Sequence, residues 1–332
     1  MKVCASATRI HSCAHKVIAT DTSNLILQET LSTLLLVTIL AFVGFSIIPG
    51  DPTSSILGVE ATPEQIAALR DRLGLDLPIW QRYLHWLGGL LTGNLGESYN
   101  YGMPVAQLLS TCVTHTLTLA VLAFVLIVAI SLPLGIIAAR YEGGVVDRVL
   151  TILNQITMSV PNFVAGILLV YVFGLVLRLF QPGAIVTPQA GWGPYLWYML
   201  FPALAVALPR SAMTVKMLRG SILSELGQDY IRTAYSKGNS KTSALWRHVL
   251  RNAMIPVVTF LAMTVADIMA GSIVVEQVFG IPGLGKMLVT SIGNRDYPVV
   301  QAIVVLIATV VVVCNFAADL LYRVMDPRLR GR

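Results

Sequence analysis

Apolar residues in this chain of 332 residues occur in long runs separated by short polar stretches. A helix that spans a membrane needs about 20 consecutive, mostly apolar residues. Six runs meet that length, and they predict six spanning helices at about Leu25–Ile48, Thr114–Ala139, Val149–Leu177, Tyr195–Met217, Met254–Val278 and Val299–Met325. The pattern therefore predicts an all-α integral membrane protein, with a spanning domain at residues 25–325 between tails at 1–24 and 326–332.

The longest interruption between the runs, residues 51–113, carries helix signals of its own. Thr62 followed by Gln65 is typical of a capped helix N-terminus, and Gly74 is placed to end that helix. A second, amphipathic helix is predicted to begin after Pro78. The loop after the first span is therefore predicted to be helical and to lie on the membrane-facing side of the bundle.

Composition supports a lipid environment, because 55% of the residues are hydrophobic and only 12% are charged. A soluble domain of ordinary composition carries about 25% charged residues. The basic residues stand between the apolar runs and do not form a soluble basic face. Nucleic acid is therefore a poor candidate partner, and the lipid bilayer is the predicted surroundings.

The basic residues also predict an orientation. Of the 23 Lys and Arg residues, 16 fall in one set of loops and tails, six fall in the other set, and Arg210 lies within the fourth run. The positive-inside rule places the basic set in the cytoplasm. Both termini and the loop 218–253 are therefore predicted to be cytoplasmic, and the loop 51–113 is predicted to be external.

Motifs for catalysis or metal binding are weak. The four cysteines form no CxxC pair, and no catalytic constellation stands out, so no catalytic residue and no metal ligand is predicted. Residues 280–287 meet the Gly-x4-Gly-Lys spacing of a phosphate-binding loop, but Met287 replaces the Ser or Thr that would bind magnesium. A glycine- and proline-rich turn that ends the fifth span is the favoured interpretation.

Charged residues inside the runs are costly and need a reason. The candidates are Glu29, Arg210, Asp267, Glu276 and Asp319, of which Arg210, Asp267 and Glu276 are the predicted polar sites within the membrane. Glu276 lies near a span end, where its carboxylate can reach water. Arg210 and Asp267 lie deeper, and they suggest an ion pair within the bundle. Separate partners, or a water-filled cavity, explain them as well.

The loop 218–253 has the pattern of a helix, a glycine break and a second short helix. Gly238 is placed for a left-handed C-cap, and Ser240 can cap the helix that follows. Ala244, Leu245, Val249 and Leu250 then form a partial apolar stripe. Such a helix suits docking into a groove of a partner protein, and it suits equally an amphipathic helix on anionic lipid.

Several segments in order resemble one family. The segments 229–238 and 247–256 resemble the EAA loop of ABC importer permeases, in the form of the dipeptide, oligopeptide and nickel group. Further similarity lies in Ile48–Pro52, Leu73–Asp76, Gly93–Ser98, Gly271–Phe279, Pro282–Gly285, Arg295–Pro298 and Asp326–Arg328. The general EAA motif begins Glu-Ala-Ala, where this chain has Arg232-Thr-Ala, a variant of the peptide and nickel group.

The resemblance implies the type I ABC importer permease fold in a bacterial inner membrane. Its partners would be a second homologous permease, two ABC ATPase subunits that hold ATP and magnesium, and an extracytoplasmic substrate-binding protein. The permease itself would bind no cofactor and catalyse no reaction. The resemblance assigns the contact with the ATPase to Arg232, Thr233, Ala234, Tyr235, Lys237, Gly238, Ser240, Ala244, Leu245 and Arg247.

The family contains peptide importers and importers of nickel or metal chelates, and a peptide is the favoured substrate. A hypothesis of another class is an ATP-independent secondary transporter or channel, and a third is a membrane-embedded enzyme. The three differ in their partners, because only the ABC permease requires a P-loop ATPase.

Overall fold

The structure, a computed structural model, describes residues 28–46, 53, 57, 61–72, 74–184 and 186–325. The tails 1–24 and 326–332, and the motifs Ile48–Pro52 and Asp326–Arg328, lie outside the described residues. The helices of the described part are, in order, α1 Gln28–Ser46, α2 Pro63–Arg72, α3 Ile79–Leu91, α4 Val105–Arg140, α5 Val145–Ser159, α6 Asn162–Leu169, α7 Trp192–Leu226, α8 Asp229–Ser236, α9 Lys241–Ala244, α10 Leu250–Phe279, α11 Leu284–Gly293 and α12 Tyr297–Met325.

Short non-α segments extend or join these helices. A π-helical turn at Val170–Val176 continues α6, and a second one at Leu245–Val249 joins α9 to α10. A 3-10 turn at Pro188–Ala190 precedes α7. The chain from Lys241 to Phe279 is therefore one helix of 39 residues.

The predicted number of spans is confirmed. Five helices of the described part are long and apolar enough to cross a membrane: α1, α4, α7, the α9–α10 helix and α12. The pair α5–α6 is the sixth when it is counted as one broken span, and it bends by 100° between Ser159 and Asn162. The third span was predicted as one apolar run, and in the structure that run is broken into two helices. Pro161 lacks an N–H and disfavours helical backbone at Val160, which is extended at φ −89° and ψ 119°.

The core of the bundle is formed by α4, α7 and α10. Gly135 of α4 faces Leu218 of α7 so closely that an added Cβ would lie 2.8 Å from the leucine side chain. His115 and Tyr195, near the starts of the same two helices, are hydrogen-bonded at 2.9 Å, so α4 and α7 run parallel. Thr116 contacts Glu276 near the end of α10, so α10 runs antiparallel to both.

This arrangement gives the bundle two distinct ends. We call the end formed by residues 140–148 and 216–251 the basic end. The end formed by residues 92–104 and 280–296 is called the opposite end. Nine of the 23 Lys and Arg residues lie in the basic-end segments, and two, Lys286 and Arg295, lie in the opposite-end segments.

The helices of the loop after α1 form as predicted. At the start of α2, Gln65 N donates to Thr62 Oγ1 at 3.3 Å and Thr62 N donates to Gln65 Oε1 at 3.0 Å, which is the reciprocal capping box. In α3, Tyr83 packs edge-on against Phe42 of α1, and its hydroxyl lies 3.0 Å from that of Thr38. These contacts attach α3 to the side of α1.

Candidate functional site

The segment between α7 and α10 forms a tight turn at the basic end. Gly238 has φ +84°, and its N–H donates to the carbonyl of Tyr235 at 2.9 Å. Asn239 donates from its backbone to the carbonyl of Ala234 at 3.2 Å. Ser240 caps α9 by accepting from Ser243 N at 3.3 Å. The predicted left-handed glycine and the predicted serine cap are both present.

The predicted contact residues of this segment divide into two sets. Ala234, Ala244 and Leu245 are buried, together with Ile231 and Val249. Leu245 and Val249 belong to the same core cluster as Leu218 and Ile222 of α7. The other members are exposed, and we call them the basic-end ridge: Arg232, Thr233, Tyr235, Lys237, Gly238, Ser240 and Arg247.

This division corrects one prediction. The apolar stripe of Ala244, Leu245 and Val249 was expected on a short helix that could dock into a partner or lie on lipid. In the structure this helix is the start of a long spanning helix, and these three residues are buried within their own chain. A contact made at this end must therefore use the ridge.

Two polar contacts hold the ridge on the bundle. The hydroxyl of Tyr230 on α8 donates to Glu225 at 2.5 Å and accepts from Asn252 Nδ2 of α10 at 3.0 Å. Partial burial, and then the bond to Glu225, raise the pKa of the Tyr230 phenol, so it stays protonated as a donor at neutral pH. The turn is thereby fixed to α7 and to α10.

A bidentate ion pair fixes the neighbouring loop to α7. Arg219 Nε lies 2.6 Å from Asp147 Oδ1, and Arg219 Nη2 lies 2.8 Å from Asp147 Oδ2. The same carboxylate accepts from the backbone of Gly143 at 3.0 Å. Sequence reasoning used Arg219 only as a positive charge and missed this pair. The signal was the acidic Asp147 in the first turn of an amphipathic helix, where its side chain is buried.

The two deep charges inside the bundle lie in contact. Arg210 Nη1 of α7 is 2.8 Å from Asp267 Oδ2 of α10. The side chains are 29% and 48% exposed, so the pair is not sealed within this chain. The structure therefore contains the ion pair that the sequence suggested. The pair lies on a side of the bundle that this chain leaves open.

Glu276 does not reach water, as the sequence had suggested, because it is 0% exposed. Thr116 Oγ1 donates to its Oε1 at 2.7 Å, and the backbone N–H groups of Gly285 and Lys286 donate to its Oε2 at 2.7 and 3.3 Å. The Thr116 hydroxyl in turn accepts from Leu284 N at 2.9 Å. The carboxylate ties α4, α10 and α11 together, and we call this set of bonds the Glu276 latch.

The latch explains the near-match to a phosphate-binding loop. The backbone amides at the start of α11 bind an anion of their own chain, the Glu276 carboxylate. A Cβ on Gly283 would lie 2.4 Å from Glu276 Cδ, and one on Gly285 would lie 2.4 Å from the Cα of Ile273. The two glycines therefore allow the close approach of the carboxylate and of α10.

The opposite end contains a second buried carboxylate, Asp296, which joins two of the motif segments. It accepts from Ser98 Oγ at 2.5 Å and from the backbone of Tyr99 and Asn100 at 3.0 and 3.3 Å. Residues that are almost 200 positions apart in the chain are therefore fixed together. Among the described residues, no group of three or more His, Cys, Asp or Glu side chains could hold a metal ion.

The chain matches two family models. The model described as "Binding-protein-dependent transport system inner membrane component" matches residues 131–331. The model for the N-terminal part of such membrane components matches residues 24–120. Together they cover most of the chain.

Similar proteins cover almost the whole chain. A probable peptide ABC transporter permease of Sinorhizobium fredii is 37% identical over 92% of this chain and 97% of its own length. The oligopeptide transport system permease protein AppB of Bacillus subtilis is 36% identical over 89% and 95%. The dipeptide transport system permease protein DppB of Escherichia coli is 35% identical over 89% and 94%.

The fold is similar to that of a solved transporter structure. A chain of the MetNI methionine ABC transporter, in an inward-facing conformation, aligns with a TM-score of 0.54 and 18% identity. The alignment covers 66% of this chain and 97% of that chain. At this identity the likeness shows the fold alone. It confirms the predicted all-helical fold of an ABC importer permease.

Proposed function

Because the chain belongs to the family of binding-protein-dependent transport system inner membrane components, we propose that it forms half of the translocation pathway of an ATP-driven peptide importer. The relatives that are similar along nearly their whole length carry the names of peptide, oligopeptide and dipeptide permeases. Their names support a peptide as the substrate. A nickel or metal-chelate substrate is the alternative within the same group.

The observation that carries the proposal is the geometry of the basic end. A turn that is pinned to α7 and α10 exposes the basic-end ridge and buries its apolar side, so a force applied to the ridge is transmitted to spanning helices. This geometry supports a contact with an ATPase subunit. The charge asymmetry supports a cytoplasmic position for this end and for both termini.

The mechanism that follows is alternating access. Closure of two ATPase subunits on ATP moves the ridge of this chain and the equivalent segment of a second permease. The pathway between the two permeases then opens outward, takes substrate from an extracytoplasmic binding protein, and reopens inward after hydrolysis. The bond chemistry occurs on the ATPase subunits, and this chain moves without catalysing a reaction.

Copurification tests the proposed partnership. An affinity-tagged chain, solubilised from its native membrane in mild detergent, is expected to recover a P-loop ATPase, which mass spectrometry identifies and an ATP hydrolysis assay verifies. Lys237→Glu reverses a charge on the ridge and is expected to lower the recovery of the ATPase several-fold. A carboxylate then replaces the exposed ammonium group at the proposed contact with the ATPase, and the charges of the two surfaces no longer complement each other.

Arg148→Glu is the matched control. Arg148 is also exposed at the basic end but lies outside the ridge, so the same charge reversal should leave the recovery unchanged. Equal recovery of the ATPase with both variants would contradict the role of the ridge. Failure of the unaltered chain to recover any ATPase would contradict the proposed function.

A further inference from the structure

The exposed residues of the spanning helices differ in character from one side of the bundle to another. On α4 the exposed side chains include Leu117, Val121 and Val125, and on α5 they include Ile152 and Ile156. These are branched aliphatic residues of the kind that lipid accommodates. This side of the chain suits a contact with the hydrocarbon of the membrane.

In the middle of α7 and of α10 the exposed residues are charged, small or flexible. The large apolar side chains that these helices expose lie nearer the opposite end: Trp192, Leu196, Trp197 and Val274. Two stripes at helical spacing form what we call the α7–α10 face. Its exposed members are Met213, Lys216 and Gly220 of α7 with Met263 and Ala270 of α10, and its half-buried members are Arg210 and Asp267. The Arg210–Asp267 contact of 2.8 Å joins the two stripes into one surface. This surface combines charges, methionines and small side chains, and it is poorly suited to lipid.

The ion pair lies deep within the spanning region. Asp267 is 12 residues before the end of α10 at Phe279, which is about 18 Å at a rise of about 1.5 Å per residue. Arg210 has 18 residues of α7 before it and 16 after it, so it stands near the middle of that helix. A hydrocarbon layer about 30 Å thick contains both positions.

A partly exposed ion pair at this depth requires water or a polar partner around it, because charges inside a membrane face cavities or other protein groups. The broken third span adds a polar group nearby. Gly271 of α10 lies one helical turn from Asp267. The side chain of Asn162, at the bend, packs against Gly271, where its Nδ2 lies 2.7 Å from the position that an added Cβ would take. A further polar side chain therefore lies about one helical turn from the ion pair.

We propose that the α7–α10 face lines a water-filled pathway, and that Arg210 and Asp267 form a subsite for the charged ends of a transported peptide. The inference rests on the proposed function, which supplies the peptide. The planar guanidinium matches a terminal carboxylate, and the Asp267 carboxylate matches a terminal ammonium group.

The chemistry of the pair suits a transient site. Without a peptide the two side chains neutralise each other at 2.8 Å. A peptide with free ends would form one ion pair with Arg210 and another with Asp267. Its binding therefore competes with the existing contact between these two side chains. Binding is then weak enough for the peptide to leave, as conduction through a membrane requires.

Water access is tested in vesicles that contain the complete transporter, with the four native cysteines of this chain replaced by alanine. Single cysteines at Met213, Met263 or Ala270 are treated with a charged methanethiosulfonate, and the mass of this chain is followed. We expect them to react at least ten-fold faster than the matched controls Val121→Cys and Val125→Cys on α4. Equal rates on the two sides would overturn the pathway assignment.

The charge-pair subsite is tested in the same vesicles by peptide protection. A transported peptide is expected to slow the labelling of Ala270→Cys at least five-fold. Adding Asp267→Asn or Arg210→Gln should abolish this protection while the labelling rate without peptide stays the same. If the pair had only a structural role, the two substitutions would change the labelling rate measured without peptide. That result would overturn the subsite, and so would protection by peptide that the substitutions leave unchanged.

Uptake by the unaltered complex separates this inference from the proposed function. If ATP drives peptide uptake and the protection is insensitive to both substitutions, the subsite alone is refuted. If the unaltered complex takes up no peptide, the proposed function itself fails.

Discussion

Replacement of Gly238 by proline is expected to lower ATP-driven uptake at least ten-fold, while the chain remains folded and inserted in the membrane. Gly238 has φ +84°, and proline is restricted to φ of about −65°. Proline also removes the N–H that donates to the Tyr235 carbonyl at 2.9 Å. The turn must then open, and the basic-end ridge loses its position relative to α7 and α10.

The measurement compares peptide uptake with ATP hydrolysis in the same vesicles. In the Gly238→Pro variant the ATPase should hydrolyse ATP at its basal rate without stimulation by the loaded binding protein. Gly238→Asn should retain most of the uptake, because asparagine tolerates the left-handed conformation and no atom lies within 4 Å of an added Cβ.

Gly93→Pro is the matched control at the opposite end. Gly93 has φ +81°, donates its N–H to Leu90 O at 3.2 Å, and also has no atom within 4 Å of an added Cβ. This variant should bind the ATPase as well as the unaltered chain does. If Gly238→Pro transported normally, the coupling role of the turn would be untenable.

Glu276→Ala is expected to have the largest effect on stability, because it removes the centre of the Glu276 latch. The backbone donors of Gly285 and Lys286 and the hydroxyl of Thr116 would lose their acceptor inside the protein. Each orphaned buried group costs about 1–3 kcal/mol, so the free energy of unfolding should fall by about 3 kcal/mol or more. The amount of monodisperse protein in detergent and its melting temperature measure this loss.

Two further variants define the cause of that loss. Gln277→Ala alters the neighbouring exposed residue and should leave the melting temperature nearly unchanged, since its side chain makes one long bond of 3.4 Å to Lys286 O. Glu276→Gln keeps one acceptor for the amides and should be intermediate. A Glu276→Ala variant as stable as Gln277→Ala would show that the latch does not hold the helices together.

Local features of the fold could be predicted from the sequence because neighbouring residues decide them. The apolar runs are long enough to identify the spans, and the Thr62 capping box, the Gly238 turn and the Ser240 cap each depend on residues within a few positions. The bend of the third span was missed because hydropathy measures apolarity alone. Only the backbone restriction around Pro161 shows that the run is broken.

Features that depend on distant residues could not be predicted in full. The apolar stripe at Ala244 and Leu245 was identified correctly, but periodicity does not say whether a partner, lipid or the same chain covers it. The burial of Glu276 depends on Thr116, which is 160 residues away, and on the approach of α11. The Arg210–Asp267 contact could be proposed because two charges in the membrane both need a partner.

Peptide uptake into vesicles tests the central claim most directly. Vesicles are prepared with this chain, a second permease and the two ATPase subunits, with the binding protein added outside and ATP enclosed. The account predicts that a labelled peptide accumulates only when ATP and the binding protein are present, and that vesicles with this chain alone accumulate none. Uptake by this chain alone, driven by an ion gradient and indifferent to ATP, would contradict it.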